Sequence, residues 1–281
     1  MTPTRLPYFD YLLSELEKRN PVIETSFGRH AHWGYWGDPK TARCDDEDFA
    51  AAAEQLTLEL CELAGIAEGE RVLDVGCGFG GTIASLNERF GELQIAGLNI
   101  DARQLARARR QIFPLRGNSV EFCQGNACAL PFADERFDRL LVVECIFHFP
   151  SREAFFREAY RVLRPGGVLA ISDFIPARPF LPLSRLIDSR WFEKYNFFGP
   201  CHLEYTLGRY RRLAKRTGFL SATEHNATKQ VLPTYDYLER RLVMPQPIDL
   251  PAWVAASLLR MQKLFGVLGL LSYYLMSFKK P

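Results

Sequence analysis

The 281-residue chain is short of the features that would take it out of the ordinary globular class. Its seven cysteines are an odd number, none falls in CxxC spacing, and the one CxxH, Cys145 to His148, has no second pair to complete a zinc site. That argues against both a disulfide framework and a structural zinc site and favours a reducing compartment. The opening residues, MTPTRLPYFDYLLSELEKRN, lack the basic start, apolar core and small-residue cleavage site of a secretion signal, so a cytoplasmic location is expected. The one candidate membrane segment, Leu264 to Phe278, is fifteen uncharged residues broken by two glycines. A spanning helix needs roughly 20 residues, so packing into the core without membrane insertion is expected. Charge of one sign is missing too. Thirty-five basic residues face thirty-three acidic ones, and only short clusters such as Asp45–Asp48 and Arg209–Arg216 stand out. No nucleic-acid surface is read from this balance. Internal repeats and low-complexity stretches are absent, and the oligomeric state stays open, a homodimer being compatible with everything above.

What is present is a core-forming composition, 47% hydrophobic and 13% aromatic, enough for one large domain or two ordinary ones. Helical spacing covers residues 6 to 18 and 48 to 64, the second stretch opening with acidic residues that suit a helix N-terminus. Between them lies the aromatic, glycine-rich HAHWGYWGDPK. From Arg71 onward, short apolar runs alternate with helical stretches: RVLDVG, 80 to 90, LQIAGLN, 102 to 113, VEFCQG, RFDRLLVVE, 151 to 163, GGVLAISD. That rhythm predicts an α/β fold with a doubly wound, mostly parallel sheet. The continuous LLVV and VLAI runs fit strands buried on both faces. Residues 176 to 205, rich in proline and aromatics, read as an inserted lid. A basic helix near 206 to 216, a strand in FLSATEHNA, a helical region from 233 to 265 and a terminal strand in LLSYYLMSF complete the chain. The division expected is a helical N-terminal cap over 1–66 and a main domain over 67–281.

The strongest motif is DVGCGFGG, residues 74 to 81. Glycines at 76, 78 and 80 let a ligand approach the backbone, and the helix that follows presents unpaired N–H groups. Spacing alone does not separate this from a dinucleotide fingerprint, since Gly76 to Gly81 also satisfies GxGxxG. Asp74 does separate them. An acid at the strand end would sit badly beside a pyrophosphate and well beside the ammonium of an amino acid.

With these residues in view, the sequence resembles the class I S-adenosylmethionine-dependent methyltransferases over about Val72 to Asp173. LDVGCGFGG looks like the family's first motif, which implies that Asp74, Gly76 and Gly78 line the methionine half of the cofactor. GLNID (97–101) and GNACALPF (125–132) resemble the ribose- and adenine-binding motifs, which implies contacts from Asn99, Ile100, Asn126 and Ala127. Asparagine stands at 99 and 126 where the family usually has a carboxylate. An amide oxygen still accepts from a hydroxyl or an amine, without the charge assistance. HWGYWGDP and LLSYYLMSFKKP look like the small-molecule branch that includes tocopherol, sarcosine/dimethylglycine and rebeccamycin-type sugar O-methyltransferases. That likeness implies a seven-stranded sheet, an aromatic N-terminal segment with Tyr35 and Trp36 over the cofactor, and a small-molecule acceptor.

The same likeness bears on VVECIFHFPSR, residues 142 to 152, which carries Glu144 and His148 out of the fourth strand. In a doubly wound sheet the carboxyl ends of the strands open into the ligand crevice. Imidazole is the natural base near neutral pH, and the resemblance implies His148 as base with Asp173 as its companion. Glu144 has a separate claim, to stabilise positive charge in N-methylation or in C-methylation through a carbocation. The aromatics Trp191, Phe192, Tyr195, Phe197 and Phe198 would serve a cation and equally a flat phenol or a lipid chain. Methylation of oxygen on an apolar or aromatic metabolite is the first expectation, carbon and nitrogen follow, and a non-catalytic cofactor- or lipid-binding protein is the rival of another class.

Overall fold

A computed structural model describes residues 6–182, 199, 201–241 and 252–281. The chain begins with three helices, α1 (Pro7–Glu17), α2 (Pro21–Phe27) and α3 (Asp46–Ala64). The sequence pattern did not show α2. It is short, and it is set by the Asn20 side chain capping Val22 N–H and by proline at the first helical position. α3 starts as the acidic cluster suggests, with Asp45 accepting from Asp48 N–H, and stops at Gly65 in a left-handed conformation, φ 64°.

From there strands and helices alternate: β1 (Arg71–Val75), α4 (Gly81–Arg89), β2 (Gln94–Asn99), α5 (Ala102–Gln111), β3 (Ser119–Gln124), β4 (Phe137–Val143), α6 (Arg152–Val162) and β5 (Leu163–Pro176). The helix Leu207–Thr217, β6 (Leu220–Asn226), helices at Pro233–Arg241 and Ala252–Val267, and β7 (Leu271–Lys279) follow. The sheet has the order β3-β2-β1-β4-β5-β7-β6. β1 to β5 pair in parallel, and β7 inserts antiparallel between β5 and β6. The seven-stranded doubly wound sheet is therefore as expected.

Packing explains why the central runs are uninterrupted. Leu73, Leu140, Val142, Leu169 and Ile171 face a core shared with Phe155 and Phe156 of α6, while Val72, Leu141 and Ala170 face Leu56 and Leu60 of α3. The stretch from Leu264 to Phe278 divides at Gly269, φ 67°, into a helix end and β7, whose Tyr273, Leu275, Met276 and Phe278 are buried. Among the described residues no helix is long and apolar enough to cross a membrane. Of the expected lid, residues 183 to 198 and 200, with Trp191, Phe192, Tyr195, Phe197 and Phe198, lie outside the described residues.

Candidate active site

The strand order reverses between β1 and β4, and a cavity of about 360 Å³ opens there beyond their carboxyl ends. Its floor is the glycine loop. Gly76 N–H and Cys77 N–H donate to the Leu98 carbonyl at 2.7 and 3.1 Å, which ties the loop to β2. Gly76 has φ 79°, and a Cβ there would meet Cys145 Sγ at 2.5 Å. Gly78 has φ 53° and would meet nothing nearer than Gln104 Oε1 at 4.0 Å, so its backbone faces open cavity. Gly76→Ala is accordingly expected to destabilise the chain by about 1–3 kcal/mol and to push Cys145 into the cavity. Denaturant unfolding with a parallel ligand titration would check both effects, and wild-type stability would contradict them.

Asp74, next to last in β1, stands at the cavity wall, 1% exposed. Its Oδ2 is buried with no hydrogen-bond partner among the described residues. Burial without a partner pushes the carboxyl up to about 7. Such a group is costly unless something positive or hydrogen-bond-donating occupies the space in front of it.

Asn99, Ile100, Asn126 and Ala127 line the same cavity. Both amides are partly used by local turns. Asn99 Oδ1 accepts from Asp101 N–H at 3.0 Å while its Nδ2 donates to Gln104 Oε1 at 3.0 Å. Asn126 Oδ1 accepts from Cys128 N–H at 2.8 Å.

Glu144 and His148 line the same cavity. Glu144 follows β4 with φ 47°, held by its N–H donating to Ser172 Oγ at 3.0 Å. Its carboxyl accepts from the Tyr273 hydroxyl at 2.5 Å and from Trp33 N–H at 3.1 Å, so it joins β4 to β7 and to the N-terminal segment. Burial outweighs these donors and pushes it up to about 8. His148 closes a 3₁₀ turn, Ile146–His148, with its N–H on the Cys145 carbonyl at 3.0 Å. The imidazole stacks on Tyr8 of α1, ring centroids 6.2 Å apart, and its Nδ1 lies 3.9 Å from Cys201 Sγ.

Two expectations change here. Asp173 does not line the cavity and is not brought to His148. It is 0% exposed and accepts from Arg152 at 2.9 Å, the Tyr210 hydroxyl at 2.5 Å and Phe174 N–H at 2.8 Å. A buried carboxylate takes the strongest donors within reach, and α6 and the helix Leu207–Thr217 supply them. Nor do Tyr35 and Trp36 line the cavity. Tyr35 N–H donates to the Ala52 carbonyl at 2.8 Å, Trp36 Nε1 donates to Asp48 at 3.0 Å, and the Trp36 ring packs among Phe49, Phe27 and Tyr237. The N-terminal segment reaches the cavity through other residues, Tyr8, Phe9 and His30 to His32. The sequence did not single out Tyr8, Phe9, Gln104 or Tyr273: Tyr8, Phe9 and Tyr273 meet the site across a long stretch of chain, and Gln104 joins it from α5 through Asn99.

Residues 73–171 match the family described as "Methyltransferase domain". That segment is a methyltransferase domain. It runs from within β1 to within β5 and holds Asp74, the glycine loop, Asn99, Asn126, Glu144 and His148. Among curated relatives, the chain is 37% identical over 163 residues to "Methyltransferase GfsG" of Streptomyces halstedii, covering 57% of this chain and 56% of that one. It is 37% identical over 156 residues to "Erythromycin 3''-O-methyltransferase" of Saccharopolyspora erythraea, covering 54% of this chain and 48% of that one. The chain thus spans about half the length of the curated relatives it matches. Among solved structures, geranyl diphosphate C-methyltransferase from Streptomyces coelicolor A3(2), in complex with Mg2+, geranyl diphosphate and S-adenosyl-L-homocysteine, shares the fold. Its TM-score is 0.72 at 18% identity, over 100% of both chains. The matched segment and the described residues that flank it therefore share that fold, while Tyr8, Asp173 and Tyr273 come from outside the matched segment.

Proposed function

We propose that the protein transfers a methyl group from S-adenosylmethionine to an oxygen of a small, largely apolar or aromatic metabolite, with His148 as general base. The observation that carries the cofactor reading is Asp74, a buried carboxyl with an unpartnered oxygen beside a glycine loop that leaves backbone open to the cavity. An amino-acid ammonium fits that oxygen, and Gly76 and Gly78 let the methionine half lie close. Asn99, Ile100, Asn126 and Ala127 would flank the nucleoside half, with Gln104 as an additional amide. When bound, the cofactor supplies an electrophilic methyl on a cationic sulfur. The fold neighbour crystallised with S-adenosyl-L-homocysteine supports the same assignment.

For the acceptor, the residues around His148 favour an apolar molecule: Leu6, Tyr8, Phe9, Val143, Phe149 and Pro150 line the cavity with it. A hydroxyl on such a molecule holds its proton too tightly to attack unaided at neutral pH, and a neutral imidazole on the wall is the group able to accept it. The name of the erythromycin relative supports oxygen as the target. We assign the cap role to residues 1–66, with 67–281 as catalytic domain and about 176–205 as lid. Carbon methylation is the second reading, favoured by Glu144 beside an apolar wall. Its weakness is that both Glu144 oxygens already accept hydrogen bonds, from Tyr273 and Trp33.

Calorimetric titration with S-adenosylmethionine, S-adenosylhomocysteine and NAD tests the cofactor. Binding of the first two is expected, and binding of NAD alone would overturn the proposal. For the choice of atom, Glu144→Gln is expected to keep turnover within about 10-fold, since the amide can still accept one of the two hydrogen bonds. A severe loss in that variant with little effect at His148 would favour cationic chemistry on carbon or nitrogen.

A further inference from the structure

Arg152, the first residue of α6, is 2% exposed and divides its guanidinium among three acceptors. It donates to Asp173 Oδ2 at 2.9 Å, to the Tyr210 hydroxyl at 2.8 Å and to the His202 carbonyl at 2.7 Å. The Tyr210 hydroxyl closes the triangle on the same Asp173 oxygen, and the Tyr205 ring lies 4.5 Å from the guanidinium. Desolvating two ions costs several kcal/mol each, and well-packed apolar side chains often stabilise a core as well or better. What this cluster does that apolar side chains could not is hold the backbone of residue 202, which belongs to no helix or strand. That backbone is also fastened on its other side, where His202 N–H donates to the Phe147 carbonyl at 2.8 Å. The neighbouring Cys201 brings its Sγ to 3.9 Å from His148 Nδ1.

We infer that the buried Arg152–Asp173–Tyr210 cluster positions His148, by clamping the Cys201–His202 segment against the turn that carries the imidazole. The inference rests on the reading of His148 as the base. Asp173 then acts through Arg152 and the clamped backbone without touching the imidazole, and all three cluster members are positioning residues. The ring lies against Tyr8, Phe147 and Cys201, and where the clamp sets residue 201 fixes the last of these contacts.

The test compares full-length wild type, Arg152→Met, Arg152→Lys and Tyr210→Phe. Iodoacetamide alkylation of Cys201, followed by peptide mass spectrometry, reports the segment. The titration of the His148 ring in ¹³C-histidine-labelled protein, assigned with His148→Ala, reports the imidazole. Arg152→Met and Tyr210→Phe are expected to speed Cys201 alkylation by about 10-fold or more, as local opening becomes easier. Both are also expected to displace the His148 titration, with S-adenosylhomocysteine affinity staying within about threefold because the glycine loop is untouched. Arg152→Lys keeps the charge but loses the fork of donors and falls between. Folded variants with wild-type alkylation would overturn the inference. So would faster alkylation with an unmoved His148 titration, which would make the cluster a support for the fold alone. Should Arg152→Met fail to fold, Tyr210→Phe, which keeps both charges, decides the question. Failure of wild-type protein to bind S-adenosylhomocysteine would defeat the methyltransferase reading and leave the alkylation and titration results standing.

Discussion

Asp74→Asn is expected to weaken S-adenosylhomocysteine binding by on the order of 10²-fold while making the ligand-free protein more stable above pH 7. Both effects come from one buried oxygen. The Asp74 carboxyl has no partner among the described residues and is pushed up to about 7, and Glu144 is pushed up to about 8, in each case chiefly by burial. In an unfolded chain both would titrate at about 4. The folded state therefore binds more protons from about pH 4 upward, and stability falls as pH rises until both groups have ionised, near pH 8. Asparagine at 74 removes one of these two protons from the balance, so thermal unfolding of the variant should depend less on pH than that of wild type. A ligand ammonium reverses the preference of Asp74 by favouring the carboxylate. Binding to wild type near pH 6 should then release a proton, seen as a calorimetric enthalpy that changes with the buffer's ionisation heat. The variant should show less of that dependence. Equal binding and equal proton release in both proteins would remove Asp74 from the cofactor site.

The second large effect concerns the chemical step. His148→Ala is expected to lower methyl transfer by roughly 10²- to 10⁴-fold, the range for a lost general base, with cofactor affinity changed no more than a few-fold. The acceptor is found by incubating metabolite extracts with cofactor carrying a labelled methyl, and wild type and variant are compared on the product that appears. The separation between turnover and affinity is expected because the imidazole's contacts are with Tyr8, Phe147 and Cys201, none of which belongs to the glycine loop. Unchanged transfer would make the reaction base-free and leave His148 to packing against Tyr8 and Phe147, whose ring centroids lie 6.2 and 4.5 Å from its own. Placed beside Glu144→Gln, this experiment distinguishes removal of a proton from stabilisation of a cation.

The order of the strands, the sheet and the glycine loop were legible in the sequence because each is written in a local pattern. Two-sided burial makes LLVV and VLAI continuous, a positive φ demands glycine at 76, 78 and 80, and an acid at the end of β1 is adjacent to its own loop. Glu144 and His148 were legible as residues leaving β4 for the same reason. Their partners were not. Trp33 reaches Glu144 across 111 residues of sequence and Tyr273 across 129. Nothing local marks Tyr8 as the ring that will stack on His148.

By itself the sequence determined a doubly wound sheet, a ligand loop with a carboxyl at its edge, and an imidazole at the exit of the fourth strand. Only the tertiary structure decided what each polar group does. Asp173 went to a buried arginine and tyrosine instead of the imidazole, Tyr35 and Trp36 packed away from the cavity, and Asp74 was left with an unpartnered oxygen facing it. The reason is physical: a residue's type and its place on a strand follow from neighbours in the chain, whereas its hydrogen-bond partners and its burial are set by whichever distant segments the fold brings against it.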